Sequence, residues 1–483
     1  MINYWPVLRF LGILLVLIGV MMWTGLPVSW SFGSSDWKAL LWSGLICMGV
    51  GAPLWFFIAG DKMAIRKREG YLIVTLGWLV LAIFGTLPYL LSGSLTTIPD
   101  AIFEVVSGIT TTGASVYSDI EAQPEGILYW RSLSQWIGGL GIIVFTVAIF
   151  PLLGIGGVEL FVAESPGPTS DKLHPRISET AKRLWYIYVG LTIGLVVLLL
   201  LGGMTLYESV NHAFTAMATG GFSTRNASVA AYPSPYIQYT LIVFMFLAGN
   251  NFTITYFALK RRFGRVWASD EFRAYLFLTL ALSLVVAINI KMSGYESWEQ
   301  AFRDATFQVV SVMTTTGFIT ADYTQWGEGV TLLFFILLFV GACAGSTAGG
   351  IKIIRHLVFF KNSYLEFKRI LHPRAVVPLK LNGHNVSGRI ITHIIIFLLV
   401  YLLTFLGGSL VLAFMGIDFL TAIGATATCL GNIGPGIGEV GPVDNFSWLS
   451  GGAKLVLSFI MLLGRLELFT ILVLFTPFFW KTN

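Results

Sequence analysis

The chain has 483 residues, of which 55% are hydrophobic and 11% are charged, and its formal net charge is +5. Soluble domains carry roughly 25% charged residues, so this chain has too few charges to coat a water-soluble protein of its size. The composition excludes a soluble globular protein and predicts an integral membrane protein.

Long apolar runs occur along the whole sequence. About 20 apolar residues cross a bilayer as a helix, and several runs reach that length with their flanking residues. The first run has no basic segment before it and no small-residue cleavage site after it, so we expect an uncleaved membrane helix. The runs are Leu11–Trp23, Leu40–Ala59, Tyr71–Leu91, Ile187–Leu201, Ile394–Leu406 and Leu455–Phe475.

Basic residues concentrate in four loops, at positions 62–68, 172–183, 260–273 and 352–389. Loops rich in lysine and arginine stay on the cytoplasmic side of a membrane. Because these loops follow every second segment, the chain is predicted to form a series of hairpins that cross outward and return. Basic residues segregated in this way do not indicate a nucleic-acid-binding protein.

Four similar segments stand on the predicted external side, each between the two members of a hairpin. In the first three, an acidic residue precedes a glycine by 13 positions, and threonine lies near the end of the apolar stretch between them. These stretches are too short to cross the bilayer, so each is predicted to enter as a half-helix and return as extended chain. The segments are Asp100–Ser115, Glu208–Thr224, Asp304–Thr320 and Asp418–Gly436.

The acidic residue is expected at the positive end of each half-helix, so that the negative end points into the protein and favours a cation. Backbone carbonyl oxygens can replace an ion's hydration shell, and glycine permits the dihedral angles that turn them inward. Helix-packing faces rich in small residues are the alternative. Three copies with matched spacing favour the pore.

The fourth segment departs from the pattern. Gly431 keeps the 13-residue offset from Asp418, whereas Asn432, Ile433 and Gly434 form a polar–apolar–glycine sequence suited to a filter. If Gly434 is the filter glycine, the offset becomes 16, and we expect a longer fourth pore helix or a bulge before it.

Three further features of the sequence each allow two interpretations. The Gly341–Gly350 stretch is either a helix-packing face or a break that forms a movable loop. Arg465 lies inside an apolar run, and because a charge within the membrane is energetically costly, it is a candidate functional residue. A structural ion pair is the alternative. Glu467 is an unsuitable partner, since residues two apart on a helix do not face each other. Asn250 and Asn251 are expected at mid-helix, making interhelical hydrogen bonds, with lining of the cavity as the alternative.

Other patterns carry no function. Cys47, Cys343 and Cys429 show no paired spacing for a disulfide or metal site. The G-x-G-x-x-G match at Gly436, Gly438 and Gly441 follows no strand and is read as chance. No nucleophile, phosphate-binding or zinc motif is present in the sequence, so we expect no enzymatic activity.

The segments 108–114, 220–224, 341–352, 431–438 and 464–470 together resemble the Trk/Ktr/HKT superfamily of potassium transporters, in detail the membrane subunit of bacterial Trk uptake systems. The resemblance covers nearly the full chain. It implies an all-α integral membrane protein with four tandem helix–pore loop–helix repeats around a central pore. Two extra helices within 1–62 would precede repeats at 71–155, 184–260, 273–360 and 388–480.

The resemblance also implies roles for individual residues. Gly434 becomes the fourth filter glycine, the loop at 341–350 a gate, and Arg465 a barrier facing the pore below the filter. The potassium-binding residues would be Thr111, Thr112, Gly113, Thr219, Gly220, Gly221, Thr315, Thr316, Gly317, Asn432, Ile433 and Gly434. The gate residues would be Gly341, Gly345, Ser346, Thr347, Gly349 and Gly350.

By the same resemblance, the expected function is channel-like potassium uptake across the bacterial inner membrane, with rubidium and to some extent sodium also passing. Coupled symport with Na⁺ or H⁺, or a less selective K⁺/Na⁺ transporter, is the alternative. Expected partners are a second copy of the chain and a cytosolic, TrkA-like Rossmann-type regulatory subunit that binds NAD or ATP. Apart from the transported potassium ion, no cofactor is expected.

Overall fold

The computed structural model describes residues 3–57, 67–144, 173–295 and 297–481, and helices make up most of this part of the chain. Within it, six helices are long and apolar enough to cross a bilayer, and two pairs of bent helices pass the same test together. The predicted all-α integral membrane protein is confirmed. In the described residues, β-structure is limited to a short antiparallel ribbon, Lys380–Leu381 (β1) with His384–Asn385 (β2).

Two membrane helices precede the first repeat, Tyr4–Trp23 (α1) and Trp37–Phe56 (α3), with the short helix Leu26–Phe32 (α2) between them. Glycines let α1 and α3 pack closely. A Cβ atom on Gly19 would lie 2.7 Å from the carbonyl oxygen of Gly44. Close approach through small residues is typical of membrane helices. The prediction of two extra helices is confirmed.

Each repeat then consists of a first helix, a short pore helix and a second helix. In repeat one these are Lys67–Phe84 (α4) with Leu87–Ser92 (α5), then Ile98–Ile109 (α6), then Glu125–Val144 (α7). In repeat two they are Leu173–Leu201 (α8), Leu206–Met217 (α9), and Pro235–Ala248 (α10) with Phe252–Leu259 (α11). The loop that follows contains Phe263–Trp267 (α12).

Repeats three and four follow the same plan. Repeat three contains Asp270–Met292 (α13), Trp298–Met313 (α14), and Glu328–Leu337 (α15) with Ile353–Leu371 (α16). Repeat four contains Gly388–Phe414 (α17), Phe419–Gly431 (α18), and Gly451–Arg465 (α19) with Phe469–Leu472 (α20), and ends at Pro477–Trp480 (α21). Short 3₁₀ turns occupy Ser228–Ala231, Tyr323–Trp326 and Val473–Phe475.

The pore helices form the centre of the protein. Most residues of α9 are buried, and so is every residue of Asp304–Met313 in α14. By contrast, only about a third of the apolar window of α8, α13 and α17 is buried, so these first helices present most of their apolar surface outward. A helix that is apolar on all sides suits a bilayer.

The second helices of repeats two, three and four are broken. Helices α10 and α11 meet at an angle of 112°, and α19 and α20 at 106°. In repeat three the helix is interrupted from Leu338 to Lys352. The apolar run Leu455–Phe475 therefore lies on two helices that meet at a sharp bend. Of the two interpretations of 341–350, the structure has the break, and it is wider than expected.

Candidate ion pathway

The four pore helices end in the same way. One residue turns the chain out of each helix with a left-handed backbone: Thr111 (φ 54°), Thr219 (54°), Thr315 (56°) and Asn432 (54°). Its N–H bonds to the carbonyl three residues back, and the next N–H bonds five residues back. This is the Schellman ending, usually made by glycine. Left-handed threonine is strained by roughly 1–3 kcal/mol, and such strain concentrates at functional sites.

Two residues later, each loop has a glycine with positive φ: Gly113 (83°), Gly221 (76°), Gly317 (82°) and Gly434 (101°). We call the four segments 111–113, 219–221, 315–317 and 432–434 the filter ring. Each glycine lies against the carbonyl oxygen of a neighbouring repeat. A Cβ atom would come within 2.2 Å of Gly220 O at Gly113, 2.0 Å of Thr316 O at Gly221, 2.1 Å of Ile433 O at Gly317, and 2.7 Å of Thr112 O at Gly434.

These contacts run from repeat one to two, three, four and back to one, so the four segments form a closed ring. The geometry decides between the two glycines of repeat four. Gly434 occupies the position of the other ring glycines, whereas Gly431 is the last residue of α18. A side chain at any of the four ring glycines would meet both a left-handed backbone and a carbonyl oxygen.

The expected longer helix or bulge in repeat four is wrong. Side chains of Thr97, Thr205 and Asp418 cap the starts of α6, α9 and α18, and the ring glycine follows each cap by 16 positions. Asp418 therefore corresponds to the two capping threonines and not to Asp100 or Glu208. Thr421 donates to the Asp418 side chain and lowers its carboxyl pKa.

Repeat three differs from the other repeats at the start of its pore helix. Helix α14 is 16 residues long and is capped by Ser297. Asp304 therefore lies about two turns into the helix, and the expectation that it marks the helix start is wrong. The 13-residue offset is the same, but the helix begins earlier.

Residues 338–352, here named the inner loop, lie against the helix-side end of the ring. The Thr347 hydroxyl donates to Met217 O at 3.0 Å and lies 3.3 Å from that of Thr219. The Gly349 N–H donates to Thr315 Oγ1 at 2.7 Å. Bonds from Gly341 N to Ile351 O and from Ile353 N to Ala342 O close the base of the loop. The loop thus covers the ring from one side.

A cavity of about 170 Å³ lies on the opposite side of the ring. It is lined by all four ring glycines and by residues that follow them, including Ser115, Ser223 and Asp444. The inner loop leads directly into α16 and the basic segment 352–389, so the inner loop faces the cytoplasm and the cavity faces outward. The predicted ring residues thus lie together between an outer cavity and an inner obstruction.

Comparison with known proteins agrees with this architecture. The family model TrkH, described as a cation transport protein, matches residues 38–482. The Trk system potassium uptake proteins TrkH of Salmonella typhimurium and Escherichia coli are each 40% identical to this chain over 99% of its length and all of theirs. This chain belongs to the TrkH family of cation transport proteins.

The structural comparison extends this result. The crystal structure of the potassium transporter TrkH from Vibrio parahaemolyticus matches with a TM-score of 0.90 and 38% identity, covering 99% of this chain and 100% of that one. The four-repeat fold expected from the sequence is confirmed. As a member of a membrane transporter family, the protein is not an enzyme.

In this TrkH-family protein, Arg465 is the last residue of α19 and is 3% exposed. Its guanidinium donates to Thr347 O of the inner loop at 2.7 Å and to Gly138 O at 3.2 Å. Among the described residues it has no carboxylate partner, because Glu467 pairs with Arg355 at 2.7 Å. Within this part of the chain, the expected alternative of an ion pair with Arg465 is therefore not found.

Asn250 and Asn251 lie at the break between α10 and α11, so the expected mid-helix position is wrong. Asn251 Oδ1 accepts from Thr253 N at 2.8 Å and caps α11. Asn250 Oδ1 accepts from Asn251 N at 2.8 Å. These bonds are local and not interhelical. Phe252 N donates to Gly345 O of the inner loop, so the break in repeat two supports the loop of repeat three.

A buried ion pair beside the outer cavity was not predicted from the sequence. Glu104 in α6 and Arg131 in α7 are 2.6 Å apart and 0–2% exposed. Arg131 also donates to Ser223 O, and Glu104 accepts from Val116 N. The pair therefore links the two segments that follow the ring glycines of repeats one and two. The sequence signal that could have revealed this pair is the presence of charged residues inside mostly apolar segments.

Proposed function

We propose that this protein takes up potassium ions across the bacterial inner membrane through a channel-like pore, with the filter ring as its selectivity filter. The observation that carries the proposal is the closed ring of four strained loops between an outer cavity and an inner obstruction. Relatives named potassium uptake proteins indicate which cation passes.

The filter chemistry follows from the composition of the ring. Carbonyl oxygens packed in a ring replace the hydration shell of an ion. Each segment has one positive-φ glycine, with a threonine or asparagine two residues before it. Fewer carbonyl positions are therefore fixed than in a filter with two such glycines per segment. We expect potassium and rubidium to be preferred over sodium, with modest discrimination.

The inner loop is proposed as the gate. It contacts threonines of the ring in repeats two and three, and a single long arginine from repeat four holds its Thr347 carbonyl. The glycines at 345 and 350 have positive φ, and φ is 72° and 64° respectively. A segment held by a few hydrogen bonds beneath the ring can move without unfolding a membrane helix.

Assembly with other chains is part of the proposal. The basic cytoplasmic segments include α16, which directly continues the inner loop. A cytosolic nucleotide-binding subunit that moves α16 would therefore move the gate. We propose such a regulatory subunit and a homodimer, as the Trk resemblance implies.

Replacement of Gly317 by serine tests the filter assignment. The new Cβ would lie 2.1 Å from Ile433 O and force a side chain onto a φ of 82°. We expect the ratio of rubidium to sodium uptake in proteoliposomes to fall about three- to tenfold, because one disturbed carbonyl position changes ion binding by roughly 1 kcal/mol.

Gly329→Ser is the matched control, since a Cβ there meets nothing within 4 Å and the residue is exposed in the same repeat. Its uptake ratio should equal that of the wild type. An unchanged ratio in well-assembled Gly317→Ser protein would remove the ring from the proposal.

A further inference from the structure

The four segments of the filter ring are not held in the same way. In repeats one and three, two threonines bond to each other behind the ring: Thr110 to Thr112 and Thr314 to Thr316, each at 2.7 Å. A serine one turn earlier also donates to the carbonyl after the ring glycine, Ser107 to Ala114 and Ser311 to Phe318.

Repeat two has lost all of these contacts. Ala218 and Gly220 stand where repeats one and three have the bonded threonines. Thr215 stands where they have the serine, but its hydroxyl donates back to carbonyls of its own helix, at Asn211 and His212. The segment 219–221 therefore needs support from elsewhere.

That support comes from Gln135, a fully buried residue of α7 in repeat one. Its amide Nε2 donates to Gly220 O at 2.6 Å, and its Oε1 accepts from Phe222 N at 3.1 Å. One side chain thus fixes the peptide groups on both sides of the ring glycine Gly221.

Gly220 and Gln135 fit each other as a pair. The backbone of Gly220 is not left-handed, unlike that of the four ring glycines, so its conformation does not require glycine. The lack of space does require glycine, because a Cβ atom at this position would lie 2.4 Å from Gln135 Cδ and 2.5 Å from Gln135 Oε1. Glycine is present at this position because the glutamine amide fills the volume of the missing side chain.

The hydrogen bond from Gln135 to Gly220 O also makes the second segment of the ring different from the other three. The carbonyl oxygens of Thr112, Thr316 and Ile433 occupy the positions in the other repeats that Gly220 O occupies in repeat two. Within the described part of the chain, Gly220 O is the one of these four that accepts a side-chain hydrogen bond. A carbonyl that already accepts a short hydrogen bond is oriented by it and has less free capacity for an ion.

We infer that Gln135 is a positioning residue that sets the ion preference of the filter by fixing the second segment of the ring. The inference rests on the proposed function of the ring. Removal of the amide leaves Gly220 O and Phe222 N without their partner, so the segment can change its carbonyl orientation while the rest of the ring keeps its contacts.

Gln135→Met tests the inference, since methionine is similar in length and cannot replace either hydrogen bond. We expect an assembled protein whose rubidium-to-sodium uptake ratio in proteoliposomes is about three- to tenfold below that of the wild type, the factor that corresponds to loss of one net hydrogen bond. Gln238→Met is the matched control. Gln238 is a buried glutamine in the second helix of repeat two. Its amide donates to Tyr232 O, away from the ring, and the uptake ratio of this variant should not change.

Gln135→Asn, one methylene shorter, is measured beside it in case methionine prevents assembly. The inference is overturned if either variant assembles and keeps the wild-type ratio, or if neither assembles, because a residue required for assembly itself is structural. Gly317→Ser in the same experiment separates the two proposals. If its ratio falls while that of the Gln135 variants does not, the filter assignment stands and only the role of Gln135 fails.

Discussion

Deletion of Ala344–Gly349 should open the pathway in the absence of any cytosolic partner. The deleted residues include Thr347 and Gly349, which contact the ring. The loop is held closed by several hydrogen bonds of about 1 kcal/mol each, so a closed state favoured by roughly 3 kcal/mol leaves under about 1% of molecules open. We expect basal rubidium uptake to rise up to about a hundredfold.

The structure indicates that the protein can still fold with these residues deleted. The hydrogen bonds between Gly341 and Ile351 and between Ala342 and Ile353 lie outside the deleted residues, so the base of the loop can stay closed. Gly350, with a φ of 64°, can form the shortened turn. The Cys343 N–H also keeps its bond to Gly249 O.

Thr347→Val is the milder version of the same test, because it removes one hydroxyl and keeps the side-chain shape. Thr404→Val is its control, since among the described residues that hydroxyl donates to Val400 O within α17 and not to the ring. Uptake should rise in the first and not in the second. Assembled deletion protein with wild-type basal uptake, or with none, would show that the inner loop is not a gate.

Arg465→Ala should also increase potassium uptake, by about tenfold at equal protein amount. A unit charge about 6 Å from an ion costs roughly 3 kcal/mol at an effective dielectric constant near 20. Half of that, after hydration, changes a rate by about one decade. The arginine also holds the Thr347 carbonyl of the inner loop, and its loss frees the loop. Both effects act in the same direction.

Arg465→Lys separates the charge from the loop contact. Lysine keeps the charge, but its ammonium does not provide the guanidinium fork that reaches Thr347 O and Gly138 O together. If charge alone limits uptake, the lysine variant should behave like the wild type; if the contact matters, uptake should lie between wild type and alanine. Arg369→Ala, on the cytoplasmic helix α16, should leave uptake unchanged. Assembled Arg465→Ala with wild-type or reduced uptake would remove the arginine from the pathway.

The fold and the ring could be predicted from the sequence because both depend on local patterns. Apolar runs, segregated basic loops and repeated Thr–Gly segments are visible without any partner residue. The start of the fourth pore helix could not be placed, because an acidic residue suits a helix N-terminus equally at the cap and in the first turn. Asp418 and Asp100 therefore look equivalent in the sequence and are not.

Long-range contacts were the part that the sequence could not supply. Gln135 and Gly220 are 85 residues apart, and Arg465 and Thr347 are 118 residues apart. Position 220 has glycine where repeats one and three have Thr112 and Thr316. Only the structure shows that a glutamine from another repeat fills the space.

We propose that potassium passes through the filter ring without obligatory coupling to another ion. Uptake of radioactive rubidium by proteoliposomes that contain the purified protein, measured with and without a sodium gradient and a proton gradient, tests it most directly. We predict uptake in all conditions, competed by external potassium more strongly than by sodium, and driven by the potassium gradient and membrane potential alone. Uptake that requires the sodium or proton gradient would contradict the channel-like pathway and indicate a coupled symporter.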